Sequence, residues 1–110
     1  MSLPTNCANV AHGAALLDRY QPGWYRQIDL ARLDARTDDD VPGQLYGDSH
    51  QGLTDLLQAD PDPQAQERHY TWAIEHGFEP VWNSGPDPYA KLTACWYAEI
   101  AGRLDAAGGR

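Results

Sequence analysis

The stretch that decides the fold is Asp87-Pro88-Tyr89-Ala90-Lys91-Leu92-Thr93-Ala94-Cys95-Trp96-Tyr97-Ala98-Glu99-Ile100-Ala101-Gly102-Arg103-Leu104. Within it Tyr89, Leu92, Trp96, Ile100 and Leu104 recur at three- and four-residue intervals, which gathers them on one face of an α-helix. Asp87 supplies an N-cap, and Pro88 fits the first turn, where its missing N–H has no helical partner to lose. Burying the stripe stabilises the chain by about 1.5–3 kcal/mol per large side chain. This helix, spanning about residues 87–106, is therefore the expected energetic centre.

Upstream, the chain reads as short helices separated by firm breaks. Thr5 or Asn6 can cap a first helix whose Val10, Ala14 and Leu17 share a face, with Cys7 near it. Gly13 weakens that helix or lets a neighbour approach closely. Gln21-Pro22 ends it, because the residue before proline is pushed out of helical geometry. A short helix is expected at Gly23 to Gln27, carrying Trp24 and Tyr25. Ile28, Leu30 and Leu33 fit a further helical turn, with a short strand pair near Ile28 and Val81 as the alternative. The carboxylates of Thr37-Asp38-Asp39-Asp40 suit a helix N-terminus, and Gln44-Leu45-Tyr46 a short turn that Gly47 stops.

Asp48 or Ser49 can cap the next helix, through Leu53, Leu56 and Leu57, which Asp60-Pro61-Asp62-Pro63 breaks. The pattern then predicts a helix from Pro63 to His76, capped by Asp62, with Tyr70, Ala73 and Ile74 inward and Trp72 flanking. His76-Gly77-Phe78 closes it, with Phe78 folding back on the helix end. Glu79 to Pro88 is a loop anchored by Val81-Trp82. The fold class that follows is all-α: a compact bundle of four to six helices, several short, packed around the last one. Residues 1–110 form a single domain in this reading, with 1–5 and 106–110 fraying.

Composition narrows the functions. Sixteen acidic residues against eight basic ones give a net charge of −8, which disfavours direct binding to nucleic-acid phosphates. No apolar run approaches 18 residues, so no membrane span is expected. Met1 to Asn6 lacks the basic and apolar regions of a secretory signal, so a cytoplasmic setting is the expectation. Cys7 and Cys95 stand 88 positions apart without a CxxC pair, and in a reducing compartment they read as buried small apolar residues, with a bridge as the alternative.

Several spaced phrases carry a resemblance: Gly13-Ala14-Ala15-Leu16-Leu17-Asp18, Pro22-Gly23-Trp24, Ile28-Asp29-Leu30, Gly43-Gln44-Leu45-Tyr46-Gly47, Gly77-Phe78, and Tyr89-Ala90-x-Leu92-Thr93-Ala94-x-Trp96. Together, over about residues 11 to 104, they are similar to a group of short uncharacterised proteins of actinobacteria and their bacteriophages. The resemblance implies a setting rather than an activity. Members of that group often carry cysteines just before the Gly-Gln-Leu-Tyr-Gly phrase, where this chain reads Arg36 to Val41 without a thiol. No cysteine-dependent metal or redox role carries over.

Catalytic constellations are not evident. His69 and His76, two turns apart on one expected helix, are separated by about 10 Å, too far to share a metal ion unaided. Ser49 beside His50 lacks the elbow that would aim a nucleophile at a base, and no phosphate-cradling glycine loop occurs. No metal or cofactor is expected. The aromatics Trp24, Tyr25, Tyr46, Trp82 and Tyr97 either fill a core poor in Leu and Ile or form a partner surface. The leading reading is a non-enzymatic protein that binds another protein through an aromatic and acidic surface, or closes a homo-oligomer with it. The alternatives are an acidic mimic of nucleic acid and a small metal-dependent or hydrolytic enzyme using His50, His69 or His76.

Overall fold

In the computed structural model, which describes residues 6–82 and 85–108, the C-terminal stripe is a 19-residue helix, α5 (Pro88–Ala106). Asp87 adopts a left-handed φ of 50° and accepts from the Ala90 N–H, so the cap forms as the sequence requires. Leu92, Trp96 and Ile100 are buried, while Tyr89 and Leu104 at the ends of the stripe are half-buried.

Ahead of it lie α1 (Asn6–Tyr20), a 3-10 turn (Trp24–Gln27), α2 (Val41–Tyr46), α3 (Ser49–Ala59) and α4 (His69–Glu75). Five α-helices and no strand occur among the described residues, so the all-α expectation holds and the strand pair at Ile28 and Val81 is not formed. Helix α5 packs on α1 and on the 3-10 turn; α1 also packs on α4, and α2 packs on α3. Of the ends expected to fray, 1–5 and 106–110, residues 1–5 and the last two lie outside the described part, as does Thr5 as a cap, while Ala106 is the last residue of α5.

Helix α1 buries Val10, Ala14 and Leu17 as the spacing predicts. Gly13 faces the end of α4 so closely that a Cβ there would stand 1.9 Å from the His76 carbonyl oxygen. At that point α4 closes with a Schellman motif: Phe78 N–H donates to the Ala73 carbonyl at 2.8 Å and Gly77 N–H to the Ile74 carbonyl at 3.0 Å. Gly77 supplies the left-handed φ of 72°, and Phe78 folds back into the core as the sequence indicates. Rings then run in contact through the interior. Trp24 meets Trp96 edge-on at 5.7 Å, Trp96 stacks with Phe78 at 5.8 Å, and Phe78 meets Trp72 at 5.7 Å. The buried indole N–H groups are satisfied: Trp24 by Asp18, Trp72 by Asp60, and Trp96 by the Gly77 carbonyl.

Three local expectations require correction. Ile28 to Leu33 is a succession of turns, not a helix, because the Asp29 carboxylate accepts from Ala31 N–H while the Gln44 side chain engages both the N–H and the carbonyl of Asp29. The helix expected from Pro63 begins only at His69. Asp60 and Asp62 bind the N–H groups two residues on, and Ala65 is the sole apolar residue in the Pro63 to Arg68 turns that is buried. Trp72 joins Ala73 on the buried face of α4, whereas Tyr70 lies 49% exposed. Turn chemistry outweighed a weak apolar period in both segments.

Cys7 and Cys95 form a disulfide, with Cα atoms 4.9 Å apart, between the first turn of α1 and the middle of α5. Cys7 is exposed and Cys95 half-buried, so the reading of both as buried free thiols is corrected. The packing of α1 on α5 brings together residues that sequence distance keeps apart.

Candidate functional site

The five aromatics singled out from the sequence do not form one surface. Trp24 is fully buried and belongs to the core, with the Arg103 guanidinium 5.5 Å above its ring. Tyr25 leans edge-on against Trp24 and is half-buried. Tyr46 is also half-buried, and its hydroxyl accepts from the Gln21 side chain at 3.0 Å, tying α2 to the end of α1. Only Trp82 and Tyr97 are half-exposed.

Trp82 instead gathers two rings the sequence placed inward. Its indole N–H donates to the Tyr70 hydroxyl, and its ring makes a T-shaped contact with Tyr89 at 5.4 Å. Tyr70 stands on α4, Trp82 on the following loop and Tyr89 in the first turn of α5. The Arg36 guanidinium also approaches Tyr89, 5.3 Å from the ring centre, and pairs with the Asp87 carboxylate at 2.5 Å. No local signal marks this group: Tyr70 and Trp82 are 12 positions apart, and the turn after Phe78 is what brings them together.

Two clefts border these rings. The first, about 260 Å³, opens between α3 and α4 and is mainly apolar: Leu53, Leu57, Trp72 and Ala73 form its walls, with His50, His69, Tyr70 and Glu79 also lining it. The second, about 420 Å³, is polar and is lined by Arg36, Asp38, Asp40, Ser49, Glu79 and Tyr89 among others. Glu79 lines both.

The electrostatics of the second cleft follow from its burial. Desolvation raises the Asp40 carboxyl to about 6, against the hydrogen bonds from Gly43 and Ser49, while Asp38 and Glu79 push in the same direction as burial. Asp40 nonetheless caps α2 by accepting from Gly43 N–H at 2.7 Å, as expected of the acidic run. Burial also raises Glu79. Asp38 is held below the usual carboxylate range by the Ser49 backbone and hydroxyl. The Tyr89 hydroxyl is raised chiefly by burial, with Glu79 and Tyr70 adding to it and Arg36 opposing.

The histidines divide. His50 and His69 line the same apolar cleft, a juxtaposition the sequence did not reveal. His76 is part of the interior stack, 4.6 Å from Trp72, with Nδ1 at 2.8 Å from the Trp72 carbonyl oxygen. Ser49 and His50 line different clefts, and the Ser49 hydroxyl donates to the Thr37 carbonyl. Among the described residues, no three His, Cys, Asp or Glu side chains come together in a way that could hold a metal ion. No described helix is long and apolar enough to cross a membrane.

Comparison with protein-family models, with curated proteins and with solved structures found no match to this chain.

Proposed function

We propose that this chain is a non-enzymatic interaction protein that binds another protein through the face formed by Tyr70, Trp82, Tyr89 and the two clefts beside them. The observation that carries the reading is the half-exposed pair Tyr70 and Trp82, joined by a hydrogen bond, with Tyr70 also lining an apolar cleft. Rigid amphipathic rings beside an apolar pocket are the usual anchors of protein interfaces. The resemblance of the sequence phrases to short actinobacterial and bacteriophage proteins is the ground for proposing a phage or mobile-element setting. The Cys7–Cys95 disulfide supports an oxidising compartment over the cytoplasm expected from the N-terminal residues.

The test uses matched baits. Wild-type chain and a Tyr70→Ala, Trp82→Ala double variant are immobilised and exposed to the same host lysate. A partner retained by wild type and lost by the variant, with unchanged thermal unfolding, supports the reading. Equal retention by both, or none by either, contradicts it.

A further inference from the structure

Resting on that reading, we propose that the two clefts sharing Glu79 receive a partner segment in which a large apolar side chain is adjacent to a Lys or Arg. The size and chemistry of each cleft argue for its half of the segment. The α3–α4 cleft, at about 260 Å³ and walled by Leu53, Leu57, Trp72 and Ala73, has room for a leucine- to tryptophan-sized side chain.

The neighbouring cleft selects a cation. Asp38, Asp40 and Glu79 line it against one basic group, Arg36, which is already paired with Asp87. Arg36 stacked over Tyr89 shows that the wall accepts a guanidinium on its aromatic face. An arriving ammonium or guanidinium would relieve the repulsion that Asp38 and Glu79 exert on Asp40. Because Glu79 lines both clefts, the apolar and the basic side chains must be close neighbours on the partner chain. The net charge of −8 favours a basic segment at long range and opposes a second copy of this chain in the same place.

Three blocked tetrapeptides test this: tryptophan followed by lysine, tryptophan followed by glutamate, and alanine followed by lysine. Each is titrated to about 5 mM, which detects affinities in the millimolar range, while the amide and indole resonances of the full chain are followed by NMR. The tryptophan–lysine peptide is expected to shift resonances of Leu53, Leu57, Ala73 and Glu79, and to bind about tenfold more tightly than either other peptide. Glu79→Gln and Asp38→Asn should each erode that preference, weakening the tryptophan–lysine peptide and strengthening the tryptophan–glutamate one. Equal binding of the two tryptophan peptides at the α3–α4 cleft overturns the basic half of the proposal while leaving the interaction reading standing. No shift at the cleft with any peptide overturns the proposal, and the matched-bait experiment then decides the broader reading on its own. Shifts that depend on protein concentration without peptide identify a second copy as the occupant and overturn it as well.

Discussion

Asp40 does two jobs that conflict, and the conflict is measurable. Its carboxylate caps α2 through the Gly43 N–H, yet burial next to Asp38 and Glu79 raises it to about 6. A carboxyl raised in the folded state binds its proton more tightly there than in the unfolded chain. Its contribution is then fully present below the unfolded value near 4 and is lost as pH rises through about 6. Asp38 and Asp60 run the other way. Asp38 is lowered by the Ser49 hydrogen bonds; at Asp60, burial raises the carboxyl but hydrogen bonds from Asp62 and Trp72 outweigh it. Asp40→Asn keeps a cap acceptor and removes the titration. Denaturant unfolding across pH 4–8 should show the variant gaining stability relative to wild type as pH rises from about 4 to about 6 and holding that gain above it. A constant difference across the range would place the strain elsewhere.

Among the elements, those with complete local grammar were the legible ones. Helix α5 has a cap, a proline start and a five-residue apolar stripe; α4 has the His76-Gly77-Phe78 stop; α3 has Asp48 at its cap. Each of these signals sits within a few residues of the hydrogen bond it specifies. Ile28 to Leu33 misled because Gln44, in a different element, holds Asp29, and no local pattern announces that bond. Likewise Arg68 reaches back to Asp62 and forward to Glu75, fixing the turns before α4 that the sequence suggested were helical. The disulfide is the extreme case, since only the α1–α5 packing creates it. Closing a loop of its 88-residue separation restricts the unfolded chain, and on the loop-entropy account contributes about 4.6 kcal/mol. The Cys7→Ser, Cys95→Ser double variant is therefore expected to lower the denaturation midpoint substantially relative to the oxidised wild type, with helix content by circular dichroism retained in water. A midpoint equal to that of the oxidised wild type would show that the bridge adds nothing to the packing already present.

At the scale of the molecule, one hydrophobic interior joins all the elements. Of the rings in its Trp24–Trp96–Phe78–Trp72 contacts, Trp96 and Phe78 were expected inside, whereas the sequence left Trp24 open between core and surface. Composition alone cannot sort them, because burial of an aromatic ring is decided by which neighbours long-range packing provides. Trp24 went inward against Trp96; Tyr70 and Tyr89 went outward to meet Trp82. The candidate site thus contains one of the five residues first singled out, Trp82, and gains Tyr70, Tyr89, Glu79, Asp38 and Asp40 from the tertiary structure. The acidity was legible as a total of −8, but its concentration around Glu79 depends on α2, α3 and the loop after α4 meeting.

The claim that this face is where a partner docks is tested most directly by hydrogen–deuterium exchange of the chain, alone and in complex with whatever protein it captures. The account predicts new protection across Ser49–Ala59, His69–Glu75 and the segment from Phe78 to Trp82, with the Gln21 to Ile28 segment unchanged. Protection centred on Tyr97 or on Gln21 to Ile28, with none along α3 and α4, would contradict it.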